Sequence, residues 1–123
     1  MANNKLPFDY RTNAAIYLSA FVTGSVQIDS TEDVVIDATI FGTIITSGFC
    51  EITENGNFEG DIHARTLQVF GVTNGEHSAN DAIQIKRSAK IRGLYTSPTI
   101  HIEPGSIVNA RIHHRANTDT GPL

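Results

Sequence analysis

The chain has 123 residues, with 9 Lys and Arg against 13 Asp and Glu and a formal net charge of −4. That length holds one domain around one core, and the acidic balance argues against a dedicated nucleic-acid binder, which needs surplus cations to neutralise phosphates. No apolar run reaches the roughly 20 residues that span a bilayer, and the lone Cys50 leaves neither an internal disulfide nor a cysteine pair for structural zinc.

Residues 1–15 read as an extension. They lack the basic start and continuous apolar stretch of a secretory signal, so a cytoplasmic location is expected. Leu6, Phe8 and Tyr10 are its apolar residues, suited either to a weak membrane contact or to covering the first structural unit behind them.

From residue 16 to about 114 the chain is rich in Val, Ile and Thr, and apolar positions alternate with polar ones, as in strands with one buried face. The alternation repeats. The first unit carries Ile16 and Leu18, then Val22, Gly24 and Val26. The second carries Val34 and Ile36, then Ile40, Gly42 and Ile44, and the third Cys50 and Ile52, then Phe58, Gly60 and Ile62. The fourth is shorter and more polar, with Leu67 and Val69 followed by Thr73, Gly75 and His77. The fifth has Ile83 and Ile85, then Ile91, Gly93 and Tyr95, and the sixth has Ile100 and Ile102, then Val108, Ala110 and Ile112. Residues 115–123 read as a tail.

The glycines recur at 18, 18, 15 and 18 residues, too short for helical repeats and suited to one coil of a β-solenoid. Length varies only at corners: four residues separate Ile36 from Ile40, and six separate Ile52 from Phe58 and Ile102 from Val108. Insertions confined to turns leave the inward register intact. The expected fold is therefore all-β, a parallel β-helix of about six coils, roughly 25–30 Å long at the usual strand spacing.

Residues with catalytic or ligating chemistry fall in unpromising places within this register. His63 and His113 share an outward column but lie three coils apart, His77 points inward, and His101 faces out on another side, so no metal site is expected. Cys50 sits in the apolar column with Val34 and Leu67 and reads as a small hydrophobe, not a nucleophile. Glu32 and Asp33 lie at a corner, and Glu59 and Asp61 on an outward face without a proton-transfer partner. The glycines match no phosphate-binding loop. No catalytic residue and no cofactor is expected. Lys86, Arg87, Lys90 and Arg92 form the main basic cluster, a solvated corner able to meet lipid headgroups or an acidic partner. Phe41 and Ile45 occupy neighbouring outward positions and mark a lateral contact.

The segment Ile52-Thr-Glu-Asn-Gly-Asn-Phe-Glu-Gly-Asp-Ile62 and its counterpart Ile102–Ile112 resemble the repeat of the bactofilins, polymer-forming bacterial cytoskeletal proteins, over about residues 16–114. The resemblance implies a right-handed, single-stranded β-helix of triangular cross-section that assembles through its end coils into filaments without nucleotide. It also implies a scaffold role in cell shape or in placing envelope or peptidoglycan-modifying proteins, at the inner face of the cell membrane where a membrane tag is present. On this reading the chain's partner is itself, and its assembly surfaces are the inward residues of the first coil (Leu18, Val22, Val26) and of the last (Ile102, Val108, Ile112). Two other classes share an 18-residue spacing or a solenoid body: a trimeric left-handed β-helix enzyme of the acyltransferase or carbonic-anhydrase kind, and a monomeric adaptor. The variable 15–18-residue spacing weighs against the first.

Overall fold

The structure, a computed structural model, describes residues 14–19 and 25–114. Ten strands follow one another: β1 (Ala14–Leu18), β2 (Ser25–Ser30), β3 (Asp33–Ile36), β4 (Thr39–Thr46), β5 (Phe49–Ile52), β6 (Asn57–Val69), β7 (Val72–Ile85), β8 (Lys90–Ser97), β9 (Ile100–Ile102) and β10 (Ile107–His114). Every pairing is parallel, and each strand lies on the one a coil earlier. One face stacks β1, β3, β5, the second half of β6, the second half of β7, and β9. The other stacks β2, β4, the first halves of β6 and β7, then β8 and β10. The result is a β-solenoid of about 5 turns, the parallel β-helix that the repeat predicts.

Parallel strands buried on one face need continuous apolar columns, and the register supplies them. Leu18, Ile36, Ile52, Val69, Ile85 and Ile102 stack in one column, and Ile40, Phe58, Thr73, Ile91 and Val108 in another. Cys50 is fully buried between Val34 and Leu67, and burial pushes its thiol up to about 12. The corner insertions form tight turns, with the amides of Gly56, Ala89 and Ser106 donating to the carbonyls of Thr53, Lys86 and Glu103.

The glycine column is a close approach of backbone to backbone. Gly42, Gly60, Gly75 and Gly93 have φ between 105° and 149°, and a Cβ at Gly60 would lie 1.8 Å from the Gly42 carbonyl oxygen of the preceding coil. A side chain there would meet both a strained backbone and a collision.

The first coil departs from the expected register by two residues. Val26, not Gly24, pairs with Gly42, and Ile28 pairs with Ile44. Corner length explains the shift: six residues separate Ile44 from Cys50 and His77 from Ile83, and Ile28 to Val34 keeps that spacing whereas Val26 to Val34 would not. Val26 tolerates a Cβ in the glycine column because β2 lies at the column's start, with no strand paired on its other side among the described residues. Val22 and Gly24, and the extension with Leu6, Phe8 and Tyr10, lie outside the described residues.

Candidate assembly surfaces

Each inward column shows what a following coil does to its members. Ile52, Val69 and Ile85 are at most 1% exposed, while Ile102, next in the same column, is 42% exposed. Ile91 is 1% exposed beneath Val108, which is itself 36% exposed. Ile112 covers the fully buried Tyr95 and is half-buried. At the opposite end Ile16, Leu18, Val26 and Ile28 pack against the core while remaining half-buried. Ile28 therefore joins the end-coil residues, a position that the shifted register had hidden. Ile107, 55% exposed at the outward position beside Val108, also went unrecognised in the sequence, because outward positions there read as polar. Its place in the last coil, adjoining Val108, was the available signal.

On the flank, Phe41 and Ile45 stand on either side of Gly42, 45% and 42% exposed. Ile45 borders a shallow groove of about 310 Å³ with Asp61, His63, Glu76, Ser78 and Leu94. His63 Nδ1 and Ser78 Oγ lie 2.7 Å apart across adjacent coils. His113 stands three coils from His63 in the same column, by way of Ser78 and Thr96, and His101 is exposed on the other face. Among the described residues no group of three His, Cys, Asp or Glu side chains is placed to hold a metal ion.

Corner side chains tie neighbouring coils together. Asp33 Oδ1 accepts from the Phe49 amide at 2.9 Å, and the Thr46 hydroxyl donates to the Glu32 carbonyl at 2.5 Å. Asp37 accepts from Tyr17 at 2.9 Å and also from Thr53. Burial pushes the half-buried Glu51 carboxyl above its usual range, and the charge of Asp37 adds to this. Glu103 accepts from the Arg87 amide at 3.0 Å and pairs with Lys86 at 3.5 Å and with the Arg87 guanidinium at 3.9 Å, and the Arg87 amide, with these two cations, holds its carboxyl below the usual range. Half of the expected basic cluster is thus engaged at its own corner. Lys90 and Arg92 stand on β8, exposed and without an ion pair among the described residues.

Inside the fourth coil, the polar pair Thr73 and His77 is fully enclosed. The Thr73 and Tyr95 hydroxyls lie 2.5 Å apart. His77 sits edge-on to Tyr95 with ring centroids 4.8 Å apart and 6.0 Å from Phe58, and among the described residues neither ring nitrogen has a hydrogen-bond partner. Burial lowers its pKa to about 4, an effect that the Glu76 backbone and the Asp61 charge oppose only in part.

A repeat body whose inward columns run from coil to coil, with Ile102 and Val108 partly exposed at the last described coil, defines a structural β-solenoid. Residues 15–113 match the bactofilin family, described as polymer-forming cytoskeletal, and the chain belongs to that family. It is 29% identical over 104 residues to bactofilin BacO of Myxococcus xanthus (strain DK1622), with 81% of each chain covered. No solved structure matches it. The bactofilins are a structural family, not an enzyme family.

Proposed function

We propose that this protein assembles end to end, without nucleotide, into filaments that serve as a cytoplasmic scaffold for cell shape or for envelope-associated proteins. The observation that carries the reading is the contrast within single columns, where residues fully buried under a following coil become 36–42% exposed at Val108 and Ile102. A second copy stacked on that end would continue the columns and remove the apolar side chains from water at roughly 25 cal/mol per Å². Solenoids that remain single cover such ends with polar caps. The family's polymer-forming character supports the same conclusion. Attachment to the inner face of the membrane, through Leu6, Phe8 and Tyr10, and recruitment of envelope or peptidoglycan-modifying proteins belong to the proposal.

Negative-stain electron microscopy of nucleotide-free protein tests the assembly directly. Filaments are expected in plain buffer. Protein that remains monomeric or trimeric until ATP or GTP is added contradicts the reading.

A further inference from the structure

On the face that carries β8 and β10, outward side chains fall into rows, one per coil, and their charge changes sign between rows. The first halves of β6 and β7 carry Glu59, Asp61 and Glu76, all exposed. The rows that follow carry Lys90 and Arg92 on β8 and Arg111 on β10, and neither strand has an acidic residue. These cations are exposed and make no ion pair among the described residues. Lys90 is flanked in its own column by Val72, 36% exposed, and by Ile107, 55% exposed.

The cations are regularly spaced. Lys90 and Arg92 are two residues apart on one strand, about 6.6 Å, and Arg111 pairs with Leu94, two residues further along and one coil on. An extended peptide has the same period, since every second side chain points to the same side. The rows also limit what can lie there. Glu59 is two coils from Arg92 by way of Asn74, and Glu76 is two coils from Arg111 by way of Leu94, each about 10 Å away. That separation is close to the screening length of about 8 Å, so a flat anionic bilayer or a nucleic-acid duplex laid on this face would meet carboxylates together with cations. A single extended segment running along β8 and β10 meets the cations alone.

We propose that the β8–β10 row is a docking site for an extended acidic segment of another protein, with carboxylates at alternate positions facing Lys90, Arg92 and Arg111 and an apolar side chain at its end against Ile107. Charge complementarity selects this occupant, because the row offers cations without an ion pair among the described residues and no carboxylate of its own. Outward side chains keep facing solvent when a second copy stacks on the end, so docking and end-to-end assembly use different residues. A single exposed contact of this kind is weak. A filament that repeats it in every copy strengthens it for a clustered partner. The inference rests on the scaffold reading and names the chemistry of what the scaffold holds.

The probe is a labelled peptide, Leu-Ser-Glu-Ser-Glu-Ser-Glu, read by fluorescence anisotropy against assembled protein. A peptide with Gln for Glu and one with the same composition but consecutive Glu residues are the controls, and both are expected to bind more weakly. Affinity is expected to fall about tenfold in Lys90→Glu/Arg92→Glu and in Arg111→Glu, and less in Ile107→Ser. Arg65→Glu, which changes the net charge as much as Arg111→Glu but outside the row, is expected to bind as wild type does. Circular dichroism and microscopy are expected to show wild-type fold and filaments throughout. The inference is overturned if the row variants bind the peptide as well as wild type, if Arg65→Glu loses it equally, or if the row variants lose binding to anionic vesicles but not to the peptide. Row variants that no longer form filaments assign the row to assembly and overturn it too. Wild-type filaments that bind no peptide overturn the site and leave the scaffold reading intact. Wild type that forms no filament refutes that reading, and this inference with it.

Discussion

Replacing His77 with Leu should make the fold more stable and less sensitive to acid. His77 lies in the middle of the core with both ring nitrogens unpartnered, flanked by Phe58 and Tyr95 and aligned with Ile62. Burial holds its pKa at about 4 against an ordinary 6.5, so the unfolded chain takes up the proton first as pH falls. Stability from the neutral imidazole is complete above pH 6.5 and is lost progressively down to about pH 4. The separation of these two values corresponds to roughly 3 kcal/mol at full extent. Leu keeps the site apolar at similar volume and removes two unsatisfied nitrogens, which should add about 1–3 kcal/mol at neutral pH. The assay is urea denaturation of both proteins at equal concentration, since assembly adds to the apparent stability of each, at several pH values between 7.5 and 4. Carboxylates titrate in both proteins, so the difference between them isolates His77. A wild-type-minus-variant difference that stays constant across this range would refute the reasoning.

Gly60→Ala should destabilise the domain by several kcal/mol, since its Cβ meets the Gly42 carbonyl oxygen at 1.8 Å with φ at +140°; thermal denaturation reads the loss. Cys50, with a fully buried thiol pushed up to about 12, should react with a thiol reagent only after denaturation, and rapid labelling of the native protein would contradict its burial. Deleting residues 1–11 should lower co-sedimentation with liposomes if Leu6, Phe8 and Tyr10 form a membrane contact, or change polymer yield if they cover the first coil. No change in either rejects both roles.

The periodic core was legible because a solenoid writes its register directly into the chain: Ile36, Ile52, Val69 and Ile85 recur at one place per coil, and turns absorb the insertions. The first coil was misread because Gly24 imitates the glycine column at a coil with no strand before it among the described residues. The constraint at Gly42, Gly60, Gly75 and Gly93 comes from the coil before each, and a glycine alone does not reveal whether such a coil exists. Corner spacing from Ile28 to Val34 was the better guide. The enclosed surroundings of His77 follow from its inward column, but its contact with Tyr95 depends on an aromatic ring one coil later, which only the three-dimensional stack places at 4.8 Å. Among the end residues, Ile102, Val108 and Ile112 are the last members of inward columns, and Ile107 was missed because it stands in an outward column, after Lys90. Lys90 and Arg92 read in the sequence as one corner cluster with Lys86 and Arg87, and only the stack brings Arg111 beside them.

The measurement that bears most directly on end-to-end assembly is microscopy, with circular dichroism, of Val108→Arg, Ile112→Arg and Ile62→Arg. Val108 is 36% exposed at the last coil, so Arg at that place can reach water in a single copy, but a stacked partner would bury an unpaired charge at a loss of several kcal/mol. Ile62 has coils on both sides and is buried. The account predicts that the two end variants keep the β-sheet signal and form no filaments, while Ile62→Arg loses the fold. Normal filaments from Val108→Arg and Ile112→Arg, or a loss of β-structure as severe as that of Ile62→Arg, would contradict it.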